Sequence, residues 1–272
     1  MKRFFKTTGA VISATALAML ASSAMAADTT STLDKILSEK KVRIGIILSI
    51  PPVGFKDNNG QPDGYDVDVA KMVAEKLGAK LEIVDTTAAD RIPNLRTGKV
   101  DMVIGAFTRN SERAKVIDFS NPYITAVQMG MLVPKDSPVQ GIKDLDGKTI
   151  AVSKGTTAEA LFTKVAPNTS TLPFDAQTQA LLALRQNQVD AVVDDANLLN
   201  YQTKLDSNYR VIIDDAVKGY IDYNGIGIRR NDQQLLNWLN VLVFQMNTDG
   251  TSKAIYKKWF GADMPAPVNP QF

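Results

Sequence analysis

A hydroxyl and a guanidinium stand five residues apart in the run of residues 105–121, at Thr108 and Arg113. The run follows an apolar segment, residues 102–104, which is typical of a strand that ends at a turn. Arginine binds carboxylates through two parallel hydrogen bonds, and a hydroxyl and turn amides add further donors. The pattern predicts a carboxylate-binding site. From these residues alone, the alternative is a surface turn in which Arg113 pairs with a neighbouring acid such as Glu112.

The composition excludes several kinds of chemistry. The chain contains no cysteine and no histidine. Thiol nucleophiles, thiolate metal sites, Ser-His-Asp triads and histidine proton shuttles are therefore excluded, and so are disulfide bonds. We expect a protein that holds no metal and no cofactor.

The first 26 residues have the pattern of an export signal. Lys2, Arg3 and Lys6 precede an apolar stretch at residues 11–20, and small residues end the segment at Ala26. The alternative is a membrane anchor, but the apolar stretch is too short to span a bilayer comfortably. We predict a signal peptide at residues 1–26, cleaved after Ala26.

The mature chain is expected to be free, soluble and periplasmic. Cleavage removes three of the 31 basic residues and none of the 29 acidic ones, which leaves a nearly neutral chain. This charge gives no indication of nucleic acid or an anionic membrane as partner. Ala27 stands where a lipid-anchored protein would need a cysteine. Given the length, we expect two domains. We also expect a monomer.

Strands and helices alternate in two successive sets. The first set comprises strand 42–48, helix 66–77, strand 80–84, helix 91–96 and strand 101–104; the second comprises strand 149–152, a helix from 155 to about 165, helix 177–186, strand 191–193 and helix 196–202. This order predicts an α/β fold with parallel sheets covered by helices.

Two β-rich runs, residues 123–134 and 220–228, are long enough to cross between the two units. Helices at 232–246 and 252–260 follow the second run. We therefore predict a discontinuous first lobe, residues 27–125 and 225–272, and a second lobe, residues 126–224. Residues 27–32 are small and polar, and we expect them to be loose.

The run Gly64-Tyr65-Asp66-Val67-Asp68-Val69 resembles the signature of bacterial extracellular solute-binding proteins of family 3, the amino-acid-binding subunits of ABC importers. The resemblance also includes Pro51-Pro52, Arg91-Ile92-Pro93, residues 108–123, Gly155-Thr156-Thr157 and residues 190–195. It implies a two-lobed periplasmic-binding-protein fold of type II, with parallel-sheet lobes joined by two hinge strands that close on a ligand.

In the first lobe, the resemblance implies that Thr108 and Arg113 bind the ligand carboxylate. Gly105 and Ala106 stand where the family offers main-chain groups. Serine is common among relatives at these two positions, so side-chain contacts are not expected from them here.

In the second lobe, Gly155-Thr156-Thr157 precedes a helix, where main-chain amides form an anion site. The resemblance implies that Thr157, with Thr156 beside it, joins the carboxylate site; the alternative is an ordinary N-cap. It implies that Asp195 binds the ligand ammonium, whereas Asp194 points away along an alternating strand. The alternative for Asp195 is a helix N-cap.

The pocket wall leaves the ligand open. Residues 46–48 are apolar, so a cationic ligand side chain would lack a partner there. Arg91 resembles the arginine that some binders of acidic amino acids place on the side-chain carboxylate; the alternative is a solvated arginine in the first turn of a helix. Phe55 and Phe107 are either cleft aromatics or core residues.

Asp66 and Asp68 are the other acids that need an interpretation. A pair of carboxylates suits catalysis, but their place in the first turn of a helix predicts a structural role with the helix dipole.

We therefore predict a periplasmic protein, not an enzyme, that binds a polar L-amino acid and delivers it to the membrane permease of an ABC importer. Arg91 favours aspartate or glutamate, and small neutral amino acids are the alternative. An exported dehydratase acting on a carboxylated ring, similar to cyclohexadienyl dehydratase, is the enzymatic alternative.

Overall fold

The computed structural model describes residues 31–264, except for the side chains of residues 125–127. The predicted signal peptide, with its cleavage after Ala26, and the Pro-rich tail from Pro265 lie outside the described residues.

The chain alternates helices and strands, as predicted. In order, the elements up to the long central strand are α1 (Thr32–Glu39), β1 (Lys41–Ile46), β2 (Ser49–Ile50), β3 (Gly54–Lys56), β4 (Pro62–Asp63), α2 (Tyr65–Lys76), β5 (Lys80–Asp85), α3 (Arg91–Arg96), β6 (Met102–Val103), α4 (Ser111–Ala114) and β7 (Asp118–Pro134). A 3₁₀ helix (Ile142–Leu145) follows, and then β8 (Thr149–Ser153), α5 (Thr157–Val165), β9 (Ser170–Phe174), α6 (Gln177–Arg185), β10 (Ala191–Asp195), α7 (Ala196–Leu205), β11 (Tyr209–Ile212), α8 (Asp215–Lys218), β12 (Ile221–Ile228), α9 (Gln233–Thr248) and α10 (Thr251–Phe260).

Nine of the strands form one mixed sheet in the order β5-β1-β6-β12-β7-β10-β8-β9, with β11 also paired to β7. The strands β5, β1 and β6 are parallel to one another, and so are β10, β8 and β9. The predicted parallel sheets are thus confirmed in each half. Every antiparallel pair of this sheet includes β7 or β12, and the small sheet β2-β3-β4 is also antiparallel.

The strands β7 and β12 are the two predicted crossings, and both are extended. The N-terminal part of β7 pairs with β12, whereas its C-terminal part, from Met129 onward, pairs with β10 and β11. One strand is therefore shared by both parallel segments of the sheet, and the fold is the two-lobed α/β fold that was predicted. The division of the lobes at residues 125/126 and 224/225 falls within these strands and stays a prediction.

The first lobe has a core built from distant parts of the sequence. Val69 and Val73 on α2 are fully buried and belong to this core. Leu239 on α9 and Tyr256 on α10 pack into the same cluster, so helices that follow β12 complete the lobe. Gly78 ends α2 with a positive φ of 59°, a conformation that glycine adopts without strain.

Several short elements escaped the sequence patterns. Helix α1 begins within the segment expected to be loose: Ser31 caps it by accepting a hydrogen bond from the Asp34 amide, and Thr32 is buried. The expectation of a loose segment at residues 27–32 was therefore wrong for Ser31 and Thr32, since α1 packs on α9 and β1.

The small sheet β2-β3-β4 was also unforeseen. No helix within residues 31–264 combines the length and the apolar character needed to cross a bilayer.

Asp101 ties the first lobe together just before β6. It is 2% exposed, and its carboxylate accepts hydrogen bonds from the Arg43 side chain at 2.9 and 3.3 Å, from the Arg43 amide at 2.9 Å and from the Lys35 ammonium at 3.3 Å. Burial raises the pKa of Asp101, but the hydrogen bonds and charge of Arg43 outweigh it and lower the pKa overall. Asp101 therefore links α1, β1 and the start of β6.

The Asp101→Asn variant should lose about 1–3 kcal/mol of stability at neutral pH, because it removes a charged acceptor that three donor groups share. A lowered native pKa stabilises the fold above the unfolded pKa, and this contribution is lost as the pH falls through the native value. The difference between wild type and variant in urea unfolding should therefore shrink in acid. Glu82→Gln, which removes an exposed partner of Lys41, is the control and should leave the unfolding midpoint nearly unchanged.

Candidate functional site

A cavity lies where the parallel strands of both lobes end. Its empty volume is about 490 Å³, including the part open to solvent. Carboxyl ends of parallel strands are the usual place for ligands in open α/β sheets. The lining residues come from segments 47–50, 88–91, 106–108, 153–158, 175–177 and 194–198.

Most of the predicted site residues meet at this cavity. Those that line it are Arg91, Ala106, Thr108, Thr156, Thr157 and Asp195. Gly105 and Arg113 do not line it, but each contacts residues of the cavity wall. The binding roles of all eight residues stay predictions.

Arg113 bridges the two lobes through main-chain carbonyls. Its guanidinium donates to the Thr108 oxygen at 2.8 Å and to the Gly155 oxygen at 2.9 Å. The short helix α4 holds Arg113 in place, because the Asn110 side chain caps it by accepting from the Arg113 amide at 2.8 Å. The alternative pairing with Glu112 is not formed; its carboxylate binds Lys115.

Hydroxyls from the two lobes also meet. The Thr157 hydroxyl donates to the Thr108 hydroxyl at 3.0 Å, and Thr108 donates to the Asp222 carboxylate at 2.8 Å. Thr156, not Thr157, is the N-cap of α5, since its hydroxyl accepts from the Glu159 amide at 3.1 Å. The N-cap alternative for Thr157 was therefore wrong, and Asp222, on the crossing strand β12, was missed.

Arg91 is a buried arginine whose N–H groups mostly donate to main-chain carbonyls. It is 2% exposed, and it donates to the carbonyls of Ala88 at 2.9 Å, Gly105 at 3.0 Å, Ala106 at 2.8 Å and Gly155 at 3.1 Å. The alternative of a solvated arginine was wrong. Four of its five N–H groups are used, so one remains for any other partner.

Asp66 supports the loop that carries Ala106. Its carboxylate is 1% exposed and accepts from the Tyr123 hydroxyl at 2.8 Å and the Ala106 amide at 2.9 Å. Burial raises its pKa to about 7, although both hydrogen bonds oppose the shift. The predicted first-turn role is thus incomplete for Asp66. Asp68 is nearer the surface and accepts from Lys258 at 2.6 Å.

The two phenylalanines do not line the cavity. Phe107 is 1% exposed, and the guanidinium carbons of Arg91 and Arg113 lie 4.4 and 5.2 Å from its ring centroid. Both guanidiniums therefore lie over the face of the Phe107 ring, as in a cation–π interaction. Phe55 packs edge-on against Trp259, with ring centroids 5.8 Å apart. The core interpretation holds for Phe107.

Asp194 and Asp195 both line the cavity, so the expectation that Asp194 points away was wrong. The strand alternation fails because β10 ends at Asp195 and α7 begins at the next residue. The Asp194 carboxylate accepts from the Gln177 amide nitrogen at 2.8 Å and from the Asp195 main-chain amide at 2.9 Å. The Asp195 side chain makes no capping bond to α7.

Charges of both signs are held at the cavity in unfavourable surroundings. Burial raises the pKa of Asp195 well above its usual range, and the nearby Asp194 and Asp222 carboxyls raise it further. Burial also lowers the pKa of Arg113, and burial followed by repulsion from Arg113 lowers that of Arg91 to about 9. Each charge would be stabilised by an opposite charge brought into the cavity.

The fold and the cavity define a two-lobed α/β protein with a cavity at the facing ends of its parallel strands. The chain belongs to the bacterial extracellular solute-binding proteins, family 3, whose family model matches residues 42–262. The predicted family membership and type II fold are confirmed.

Three relatives illustrate the family. The chain is 38% identical to a glutamine-binding protein of Geobacillus stearothermophilus over an alignment of 188 residues. This alignment covers 67% of this chain and 71% of the relative. The solute receptor for L-cysteine of Neisseria gonorrhoeae has a TM-score of 0.80 and 36% identity, covering 84% of this chain and 93% of that one. An ancestral amino-acid-binding protein described as a precursor of cyclohexadienyl dehydratase has a TM-score of 0.79 and 37% identity, covering 85% and 100%.

Relatives of 26–28% identity are named for binding cystine, glutamate or arginine. The family is thus shown to bind amino acids for ABC transport, while the names do not agree on one ligand.

Stability should depend on pH through Asp66. The native carboxyl keeps its proton up to a pH of about 7, whereas the unfolded one releases it near pH 4, so stability falls as the pH rises between these values. The wild type should lose on the order of 2–4 kcal/mol of unfolding free energy between these pH values, and Asp66→Asn should abolish this loss. Urea unfolding at pH 4.5 and 7.5 measures it, with Asp68→Asn as control. An equal pH dependence in the wild type and the Asp66 variant would contradict this role.

Gly155 lies at a close contact between the lobes. A Cβ there would lie 2.8 Å from the Ala89 Cα, in the opposite lobe. Gly155→Ala should therefore oppose lobe contact and weaken ligand binding at least about tenfold. Gly147→Ala is a matched control, because Gly147 has φ of 73° against 75° at Gly155 and nothing lies within 4 Å of its Cβ position. Calorimetry measures the ligand affinity, and small-angle scattering with ligand measures how compact the protein becomes. Equal affinity and compactness in the Gly155 and Gly147 variants would contradict the prediction.

Proposed function

We propose that this protein binds a free polar L-amino acid in the periplasm and delivers it to the membrane permease of an ABC importer. The observation that carries the proposal is that charges of both signs are buried together: Arg91, Asp194 and Asp195 line the cavity, and Arg113 contacts its wall at Thr108. A zwitterion supplies a negative and a positive group on adjacent bonds and relieves both clusters together.

Arg113 and Thr108 in the first lobe are proposed to bind the α-carboxylate. Arg113 uses two of its N–H groups on carbonyls, which leaves others for a carboxylate. The N-terminus of α5 faces the same cavity at Thr156 and Thr157, where helix amides and the helix dipole favour an anion.

Asp195 is proposed to bind the α-ammonium. Its pKa is raised by burial and by neighbouring carboxyls, which is the direction that a cation would reverse. Arg113 and Thr108 belong to one lobe, whereas Asp195 and the N-terminus of α5 belong to the other, so each lobe alone is an incomplete site. Ligand binding then favours the closed arrangement of the lobes, and the closed surface is what the permease recognises.

The cross-lobe contacts support closure about the strands β7 and β12. Two guanidiniums, Arg91 and Arg113, donate to the same Gly155 carbonyl, and Thr157 binds Thr108. A hinge within these strands accords with lobes divided at residues 125/126 and 224/225. We propose that the protein acts as a monomer, because each chain supplies both half-sites.

The structure weakens the argument for an acidic ligand side chain. That argument rested on Arg91, which has one N–H group left after its four carbonyl contacts. Acids outnumber the cations at the cavity, since Asp222 adjoins Thr108. A neutral polar side chain therefore fits better than aspartate or glutamate. The related glutamine-binding protein is consistent with this choice.

One observation favours a dehydratase as second candidate. A carboxyl with a raised pKa in a cleft, here Asp195, is what a general acid requires, and one structural relative is described as a precursor of such an enzyme. Turnover of prephenate or arogenate by the purified protein would favour this candidate over transport.

Arg113→Ala should weaken binding of the preferred amino acid by about 2–5 kcal/mol, or roughly 30-fold or more, because a buried carboxylate would lose its charged partner. Isothermal titration calorimetry measures the change. Arg185→Ala, which removes an exposed arginine at the end of α6, is the control and should bind as the wild type does. Wild-type affinity in the Arg113 variant would refute its role.

A further inference from the structure

Two buried polar atoms of the cavity wall have no hydrogen-bond partner among residues 31–264. They are the side-chain oxygen Oε1 of Gln177 and the hydroxyl of Ser153, and their residues are 1% and 6% exposed. Both residues line the cavity. Gln202 and Asn224 also have such an atom, but neither lines it. An unpaired buried polar group costs about 1–3 kcal/mol, so a partner at this wall would stabilise it.

The orientation of the Gln177 amide is fixed by its neighbour. Its nitrogen donates to the Asp194 carboxylate at 2.8 Å, and the other oxygen of Asp194 accepts from the Asp195 amide at 2.9 Å. A carboxylate accepts hydrogen bonds, so the amide nitrogen must face it and Oε1 must face elsewhere. Oε1 is therefore an acceptor that requires a donor.

The remaining walls limit the size and charge of what can reach this acceptor. Ile47, Ile50 and Leu198 form one buried apolar cluster that lines the cavity, which suits the methylenes of a side chain. Asp194 lies directly behind Gln177 and disfavours a second negative charge at this point.

We propose that Gln177 and Ser153 form the side-chain subsite of the cavity and select an L-amino acid whose side chain carries an N–H donor and no negative charge. The Gln177 oxygen accepts from that donor, and the Ser153 hydroxyl, which can donate or accept, pairs with the remaining polar atom. This inference rests on the proposed function, because it requires the α-carboxylate and α-ammonium to be bound at Arg113 and Asp195.

Primary amides and cationic side chains share the required donor. Both satisfy Oε1, while a carboxylate or an ester of the same shape brings only acceptors and leaves Oε1 unpaired. Sites built to hydrogen-bond a substrate group reject analogues that lack it far more strongly than apolar pockets reject a methylene.

The first experiment uses the wild-type protein with matched ligands in isothermal titration calorimetry. The ligands are L-glutamine, L-glutamate, the γ-methyl ester of L-glutamate, L-arginine and L-norvaline. We expect L-glutamine or L-arginine to bind at least about tenfold more tightly than the acid and the ester. The better of the two identifies the donor as amide or cation. Tightest binding of L-glutamate or of its ester would overturn the proposal.

The second experiment asks whether Gln177 causes this preference. Gln177→Leu should reduce the advantage of the donor-bearing ligand over the ester at least about fivefold, since the side-chain acceptor is lost. The variant also loses the hydrogen bond to Asp194, so L-norvaline, whose side chain has no polar group, measures any change that is common to all ligands. Ser153→Ala tests the second group and should reduce the same advantage with less risk to folding. Gln202→Leu removes a buried glutamine outside the cavity and should preserve the ranking of ligands.

The outcomes separate this inference from the proposed function. If no amino acid binds the wild type, the proposed function fails. If amino acids bind in a manner that needs Arg113, but the Gln177 and Ser153 variants keep the wild-type preference for the donor, the subsite proposal alone is wrong.

Discussion

Uncompensated charge in a cavity of low dielectric is the constraint on which the rest of this structure depends. Carboxyls and guanidiniums are costly to bury, and Asp195 and Arg91 show this cost as pKa values shifted toward their neutral forms. The protein keeps both signs of charge apart, on different lobes, so neither cluster neutralises the other fully. In the proposed function, a zwitterionic ligand would complete both clusters and so favour contact between the lobes.

The polar framework around the cavity uses main-chain groups more than side-chain pairs. Arg91 donates to four carbonyls in three loops, and the Asp66 carboxylate accepts from the Ala106 amide. Phe107 supports two guanidiniums with its ring face. Loops that would otherwise be mobile are thereby held in one geometry, which lowers the ordering cost of ligand binding.

The Gly155 carbonyl shows how that framework serves closure. It accepts from guanidiniums of the opposite lobe, and the missing Cβ lets the Ala88–Ala89 backbone approach within contact distance. Direct contact between the lobes therefore involves protein groups beside the cavity. The unpaired oxygen of Gln177 is not used in these contacts, which is why we assign it to ligand selection in the proposal above.

Local periodicity and motifs a few residues long were enough to predict the family, the α/β alternation and the place of Thr108, Thr157 and Asp195 at a cleft. The folded chain was needed to show that Arg91 binds carbonyls of both lobes, that Asp222 reaches Thr108 across 114 residues of chain, and that Asp194 orients Gln177. Such contacts join residues far apart in sequence, and burial sets their energies. No local pattern records which distant groups a fold will bring together, or which of them it will leave unpaired.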